Sequence, residues 1–197
     1  IWHAGCYDPS DILGMKMSNN WASNQERSWY YASDFNYFAT NFHMNMFEEN
    51  LAINKSLNKS YRSGQPHSLI IDELEECNSE DKSDLVIFPH RLNSDKQPNI
   101  AEDLVDTLNG LFLITQPLKL EKKRYYNLLG KAKAVFSCAL HENLGISMME
   151  GVLAGAMPIV PDRCSYSEMY LDDFKYPSEW TSSYENYEKY KGLLKNF

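Results

Sequence analysis

Residues 134–162 read AVFSCALHENLGISMMEGVLAGAMPIVPD, and this stretch leaves the chain few ways to fold. Ala134-Val135-Phe136-Ser137-Cys138 is a short apolar run with β-branched and aromatic content, as a buried strand requires. His141-Glu142-Asn143-Leu144-Gly145 is polar and ends on a glycine where the backbone must turn. Ile146, Met149, Val152 and Leu153 recur at helical spacing, and Gly155 stands at the position of a helix C-cap. Met157-Pro158-Ile159-Val160 starts a second strand, which Pro161 closes. The same alternation begins upstream. Leu85–Phe88 reads as a strand, and a helix follows with Asn99 and Glu102 at reciprocal capping positions and Ile100, Leu104, Val105 and Leu108 on its buried face. Asn109-Gly110 ends that helix, Leu111–Ile114 is a strand, and Lys122–Lys131 is a helix. Strands separated by helices of about ten residues require right-handed crossovers and a parallel sheet, with ligands at the C-terminal strand ends. The expected class is therefore α/β, a Rossmann-like sheet with helices on both faces.

Two carboxylates frame the helix after Gly145: Glu142 before it and Glu150 eight residues later. The unpaired N–H groups of a helix N-terminus make the Asn143-Leu144-Gly145 backbone an anion cradle. Carboxylates beside an anion site are best explained if each binds hydroxyls. A ligand with phosphates in the middle and polyols at both ends fits, and a nucleotide sugar is such a ligand. Arg91 and Lys96 lie in the loop that leaves the Leu85–Phe88 strand, where they can neutralise a diphosphate and the charge that grows on it as a sugar leaves.

Glu142 to Glu150 has the E-x7-E spacing of retaining glycosyltransferases of the GT-B fold. The run S-x-x-x-H-E-N-L-G, followed by E-G-x-x-A-G-x-P-I-V, resembles the donor-binding domain of the family 4 type. The resemblance spans about residues 85–170. It implies transfer of a sugar from a nucleotide-diphosphate donor to an acceptor hydroxyl with retention, with no metal and no cofactor beyond the donor itself. It places Glu142 at the donor sugar, Glu150 on the ribose hydroxyls, Arg91 and Lys96 on the diphosphate, and Asn143, Leu144, Gly145 and Glu168 around the donor. It also implies that the leaving phosphate takes the acceptor's proton. The family has glycine before the arginine and after the lysine, where this chain has His90 and Gln97. That departure concerns the shape of the loop, not its charges.

The 19 basic and 27 acidic residues sum to −8, which argues against a general binder of nucleic acid or anionic membrane. Cys6, Cys77, Cys138 and Cys164 show no C-x-x-C spacing and read as reduced thiols of a cytoplasmic protein. No run has the length of a membrane span, and His3, His43, His67 and His90 lack metal-ligand spacing. His141 and Glu142 are sequence neighbours that point apart, so His141 is expected to act as a spacer or to bond to backbone. His3 and Asp8 are tied to an acceptor by position alone.

Residues 1–60 are rich in aromatics, asparagine and methionine and show no evident core of their own. Residues 1–5 read as a strand, 24–33 as a helix, Phe35–Ala39 as a strand and Phe42–Ile53 as a helix. On the resemblance, 1–60 is the end of an acceptor-side domain whose remainder is missing, and such a chain would tend to self-associate. The alternative is an extra α/β layer on one domain. Residues 61–84 read as a junction with a strand at Ser68–Ile71, and 85–197 as the donor-binding domain. Tyr184, Tyr187, Lys191 and Leu194 share one face of a last helix that packs back on the body. Two other functions suit the same architecture: a nucleotide-sugar epimerase, and a non-catalytic nucleotide-sugar binding module. Sugar, base and acceptor stay open.

Overall fold

The computed structural model describes residues 1–3, 5–17 and 20–197. They form two compact units. The first comprises Ile1–Gln65 with His141–Leu144, and the second Pro66–Leu140 with Gly145–Phe197.

In the first unit, α1 (Ile12–Lys16) is capped by the Asp11 side chain, which accepts from the Leu13 amide. It is followed by α2 (Asn20–Ala32) and β1 (Asn36–Phe38). Thr40 caps α3 (Asn41–Asn50) by accepting from the His43 amide. β1 pairs in parallel with β2 (Ser60–Arg62), a strand that the turn chemistry around Arg62 had hidden. The unit does have a core, contrary to the sequence expectation: Tyr7, Tyr30, Phe38, Phe47, Leu51 and Ile53 pack together with Trp2, Met44 and Met46 against them. Its aromatics come from separated segments, so no single window shows the pattern. Residues 1–3 and 5 are not a strand; Trp2 N–H makes one bond, 2.9 Å, to the Tyr37 carbonyl, and Ala4 lies outside the described residues.

The second unit is α/β with a five-stranded, all-parallel sheet flanked by helices. The strand expected at Ser68–Ile71 is instead a turn running into α4 (Ile71–Glu75): the amides of Ile70 and Ile71 both bond back to the His67 carbonyl. Next come β3 (Ser83–Phe88), α5 (Pro98–Thr107), β4 (Phe112–Ile114), α6 (Lys122–Lys131), β5 (Ala132–Phe136), α7 (Ile146–Leu153), β6 (Met157–Pro161), α8 (Tyr166–Met169), β7 (Lys175–Tyr176) and α9 (Tyr184–Leu194). The strand order is β4-β3-β5-β6-β7. Ile87 and Val135 face one side with Leu74, Leu129 and Met148 of α4, α6 and α7. Their neighbours Phe88 and Phe136 face the other with Ile100 and Leu104 of α5 and Tyr187 and Leu194 of α9. Both faces are covered, which is why these strands read as unbroken apolar runs.

One helix end differs from the capping expected and one agrees with it. α5 starts at Pro98, not at an Asn99 cap, because Gln97 holds the left-handed conformation (φ 53°) and proline suits the first helical position. α7 ends as expected: Gly155 has φ 84°, with its N–H on the Val152 carbonyl and the Ala156 N–H on the Gly151 carbonyl. α9 packs on α5, where Tyr187 Oη donates to Asp103 Oδ2 and Lys191 Nζ pairs with the same oxygen. Among the described residues, no helix is long and apolar enough to cross a membrane.

Candidate functional site

The strand order reverses between β3 and β5: the chain leaves β3 for β4 on one side and then crosses back to β5 on the other. In an open parallel sheet this switch point parts the loops at the carboxyl ends of two neighbouring strands and leaves a crevice there. The loop after β3 carries Arg91 and Lys96, and the segment after β5 leads to Gly145 and α7.

These two loops are stitched together by His90 and Gln97, the two departures from the family's pattern, and by partners that the sequence had not tied to them. His90 is buried, with Nε2 2.8 Å from Ser137 Oγ and Nδ1 3.3 Å from Ser147 Oγ at the start of α7. Ser137 Oγ is also 3.1 Å from the buried Tyr166 hydroxyl. Gln97 donates from Nε2 to the carbonyls of Cys138 and Thr181, both at 2.6 Å. Thus His90 fills, and Gln97 ties down, the two positions where the resembled family has glycine. The backbone at Gln97 keeps a glycine-like positive φ. Arg163, after β6, donates to the carbonyls of Cys138, Ala139, Ser178 and Thr181, which holds a third loop to the first two. No short motif could have revealed these long-range bonds.

Arg91 is exposed and lines a cleft of about 220 Å³ with Thr115, Gln116, Lys119 and Tyr125. Lys119 adds a second cation that the sequence reading missed. Lys96 is not in that cleft. It is 7% exposed, and its ammonium lies 3.2 Å from the carboxylate of Asp95. Glu150, on α7, faces α6 and accepts from Tyr126 Oη at 3.2 Å. Burial, the largest influence, raises the Glu150 carboxyl above its ordinary value, against the lowering effect of the Tyr126 and Tyr125 hydroxyls and of Lys122. Burial likewise lifts the Tyr126 phenol to about 12, with Glu150 adding to it. Tyr125 lines the cleft and is close enough to Glu150 for its hydroxyl to help lower that carboxyl. Gly145 caps α7 with φ 79°, a conformation that disfavours a side chain. Glu168 is exposed on α8.

Glu142, Asn143 and Leu144 belong by their contacts to the first unit, although Gly145 and Glu150 belong to the second. The Asn143 carbonyl accepts from Thr40 Oγ1 at 2.8 Å, and Asn143 Nδ2 donates to the His3 carbonyl at 3.2 Å. Beside them, His141 Nδ1 lies 3.0 Å from Asp8 Oδ2. His141 thus faces a carboxylate, and no sequence signal linked it to a residue 133 positions away. Glu26, also buried, accepts from the amides of Cys6 and Tyr7 at 2.7 and 2.9 Å. Among the described residues, no group of three or more His, Cys, Asp or Glu side chains is arranged to hold a metal ion.

No family model, no curated protein and no solved structure matches the chain.

Proposed function

We propose that the chain is a glycosyltransferase component that binds a nucleotide-diphosphate sugar on its second unit and transfers the sugar to an acceptor hydroxyl with retention. The observation that carries this reading is the arrangement at the carboxyl ends of β3 and β4. A cleft with two cations, Arg91 and Lys119, has Tyr125 in its wall, close to the half-buried carboxylate of Glu150. The cations suit a diphosphate. Glu150 already accepts from a phenolic hydroxyl, and in the bound state a ribose diol would offer it hydroxyls of the same kind. Arg91 and, after rearrangement of its pair with Asp95, Lys96 would stabilise the charge that develops on the leaving diphosphate.

Calorimetric titration with UDP, GDP and ADP in EDTA tests the binding half of the proposal. Saturable binding of one of them, weakened by Arg91→Ala and Glu150→Gln, is the expected result. Product analysis then separates the activities: free nucleotide with glycosylated product means transfer, and an altered sugar still on its nucleotide means epimerisation. Absence of binding by all three nucleotides refutes the reading.

A further inference from the structure

β1 and β2 run parallel, and Tyr37 lies opposite Tyr61 in their register. Side chains alternate across a strand, so the pair has two faces. The inner face is closed: Asn36 and Phe38 are buried, and Ser60 Oγ lies 2.9 Å from Tyr30 Oη of α2. The outer face is open. Phe35, Tyr37 and Tyr61 are 60%, 39% and 41% exposed there, although parallel strands are ordinarily covered on both faces. The three rings form one cluster, with centroids 6.5 Å apart for Phe35 and Tyr37, 5.7 Å for Phe35 and Tyr61, and 5.8 Å for Tyr37 and Tyr61. Phe35 and Tyr37 are close to parallel, at 27°. Tyr61 Oη donates to the Asn58 carbonyl at 2.8 Å, which fixes that ring. A contiguous cluster of exposed rings calls for a ligand, where hydrophobic side chains exposed singly do not.

Charge and size select the ligand. Single-stranded nucleic acid also stacks on such rings, but it needs cations along the same track. Lys59 gives its ammonium to the carbonyls of Tyr31 and Ser33, at 2.9 and 2.8 Å, and Arg62 alternates to the inner side of its strand. The exposed Asp34 directly precedes Phe35. In a chain of net charge −8 these surroundings do not suit a polyanion or an anionic membrane. Three rings also fall far short of the roughly 20–30 residues that each side of a stable protein interface supplies. An uncharged sugar meets both limits. One face of a pyranose is a row of C–H groups whose hydrogens are slightly positive, and the face of an aromatic ring is negative. The sugar hydroxyls then stay at the perimeter, in water or on the Tyr37 hydroxyl. We infer that the outer face of the β1–β2 pair is a carbohydrate-binding platform, on which an uncharged glycan lies across Phe35, Tyr37 and Tyr61. The inference goes beyond the transferase reading, concerns the first unit alone and holds whether or not the second unit binds a nucleotide.

The test titrates the full chain with maltopentaose, cellopentaose, mannopentaose, xylopentaose and N-acetylated chitotetraose, and follows the aromatic ring signals by NMR. At least one of them should shift the signals of Phe35, Tyr37 and Tyr61 together, with magnetisation passing from the rings to the sugar C–H protons. Tyr37→Ala and Tyr61→Ala should each weaken that binding by about 2–10-fold, the range expected of one ring contact. Tyr37→Phe keeps the ring and should bind almost as wild type. Tyr37→Leu keeps apolar surface but no aromatic face and should bind as poorly as Tyr37→Ala, which separates stacking from plain hydrophobic contact. These side chains are exposed, so the variants should melt as wild type does. The proposal is overturned if none of the five sugars binds, or if the one that binds leaves the three rings undisturbed. It is equally overturned if oligo(dT) takes the same rings more tightly. Self-association of the wild-type chain in sedimentation, lost when all three rings are changed to alanine, would make this face a contact between copies and overturn it too.

Discussion

Gly151 follows Glu150 on α7, and its α-carbon is where that helix lies on β5. A methyl group added there would sit 2.4 Å from Val135 Cγ1, 2.8 Å from its Cγ2 and 3.1 Å from its Cβ. Comfortable carbon contacts are about 3.5–4.0 Å, so the helix would have to lift by roughly 1 Å. Val135 is fully buried on a central strand and has no room to retreat. Overpacking of this kind costs about 1–3 kcal/mol, and replacing glycine by alanine within a helix returns about 1 kcal/mol. Gly151→Ala should therefore range from neutral to about 2 kcal/mol destabilising. Val135→Ala removes the obstructing methyls and should by itself cost about 2 kcal/mol through lost burial and the cavity left behind. In the Val135→Ala background, Gly151→Ala should become stabilising by up to about 1 kcal/mol, a coupling within the roughly 0.5–3 kcal/mol seen for touching residues. Urea unfolding of the four proteins with a common slope measures this directly. Because α7 carries Glu150, the single variant should also lose turnover, on the order of 10²-fold for a 1 Å displacement, and the double variant should recover most of it. The reasoning fails if Gly151→Ala alone stabilises by the full helix-propensity increment and adds independently to Val135→Ala.

Glu150→Gln should move stability and affinity in opposite directions. Its carboxyl is raised by burial, so stability falls as pH rises through its folded pKa, and the glutamine variant should unfold later than wild type at neutral pH. Its nucleotide affinity should drop by roughly 1.5–3 kcal/mol in calorimetry. A 2′-deoxyribose nucleotide should show the same loss with wild type and little further loss with the variant; simple additivity would remove Glu150 from the ribose. Arg91→Ala and Lys96→Ala should each cut turnover by about 10²–10³-fold, more than they weaken donor binding. Thermal melts should separate the two: the exposed Arg91 changes stability by no more than about 0.5 kcal/mol, while loss of buried Lys96 strands Asp95 and costs several kcal/mol. Equal melts would show that the Asp95–Lys96 pair is not held in solution. His43 titrates near 4 in the folded chain against an ordinary 6.5. Its contribution to stability is complete above pH 6.5 and is lost as pH falls towards 4, a difference of order 3 kcal/mol. His43→Gln should flatten the melting temperature over that window, and an unchanged slope would mean that His43 is not buried neutral.

The second unit was legible in the chain because its signals are local. The run Leu85–Phe88, the helix Lys122–Lys131, the strand Met157–Pro161 and the Gly155 cap each depend on residues within one or two turns of each other. Parallel strands and right-handed crossovers then follow from the spacing. The same local logic located a polar loop with cations after β3 and a carboxylate eight residues into the motif around α7. What it could not supply was anything carried by contacts between distant residues. The core of Tyr7, Tyr30, Phe38 and Phe47 is assembled from four segments and has no period to detect. The strand order that makes β3 and β5 neighbours across the switch point is a choice of packing, not of propensity. Which of two cations in one loop faces a cleft was also decided in three dimensions, with Arg91 at its wall and Lys96 buried on Asp95. So was the partition of E-x7-E, with Glu142 held in one unit and Glu150 in the other. The Asp8–His141 pair is the extreme case. Burial of an ionised carboxylate is costly unless a partner arrives, and only the folded chain brings that partner across more than a hundred residues.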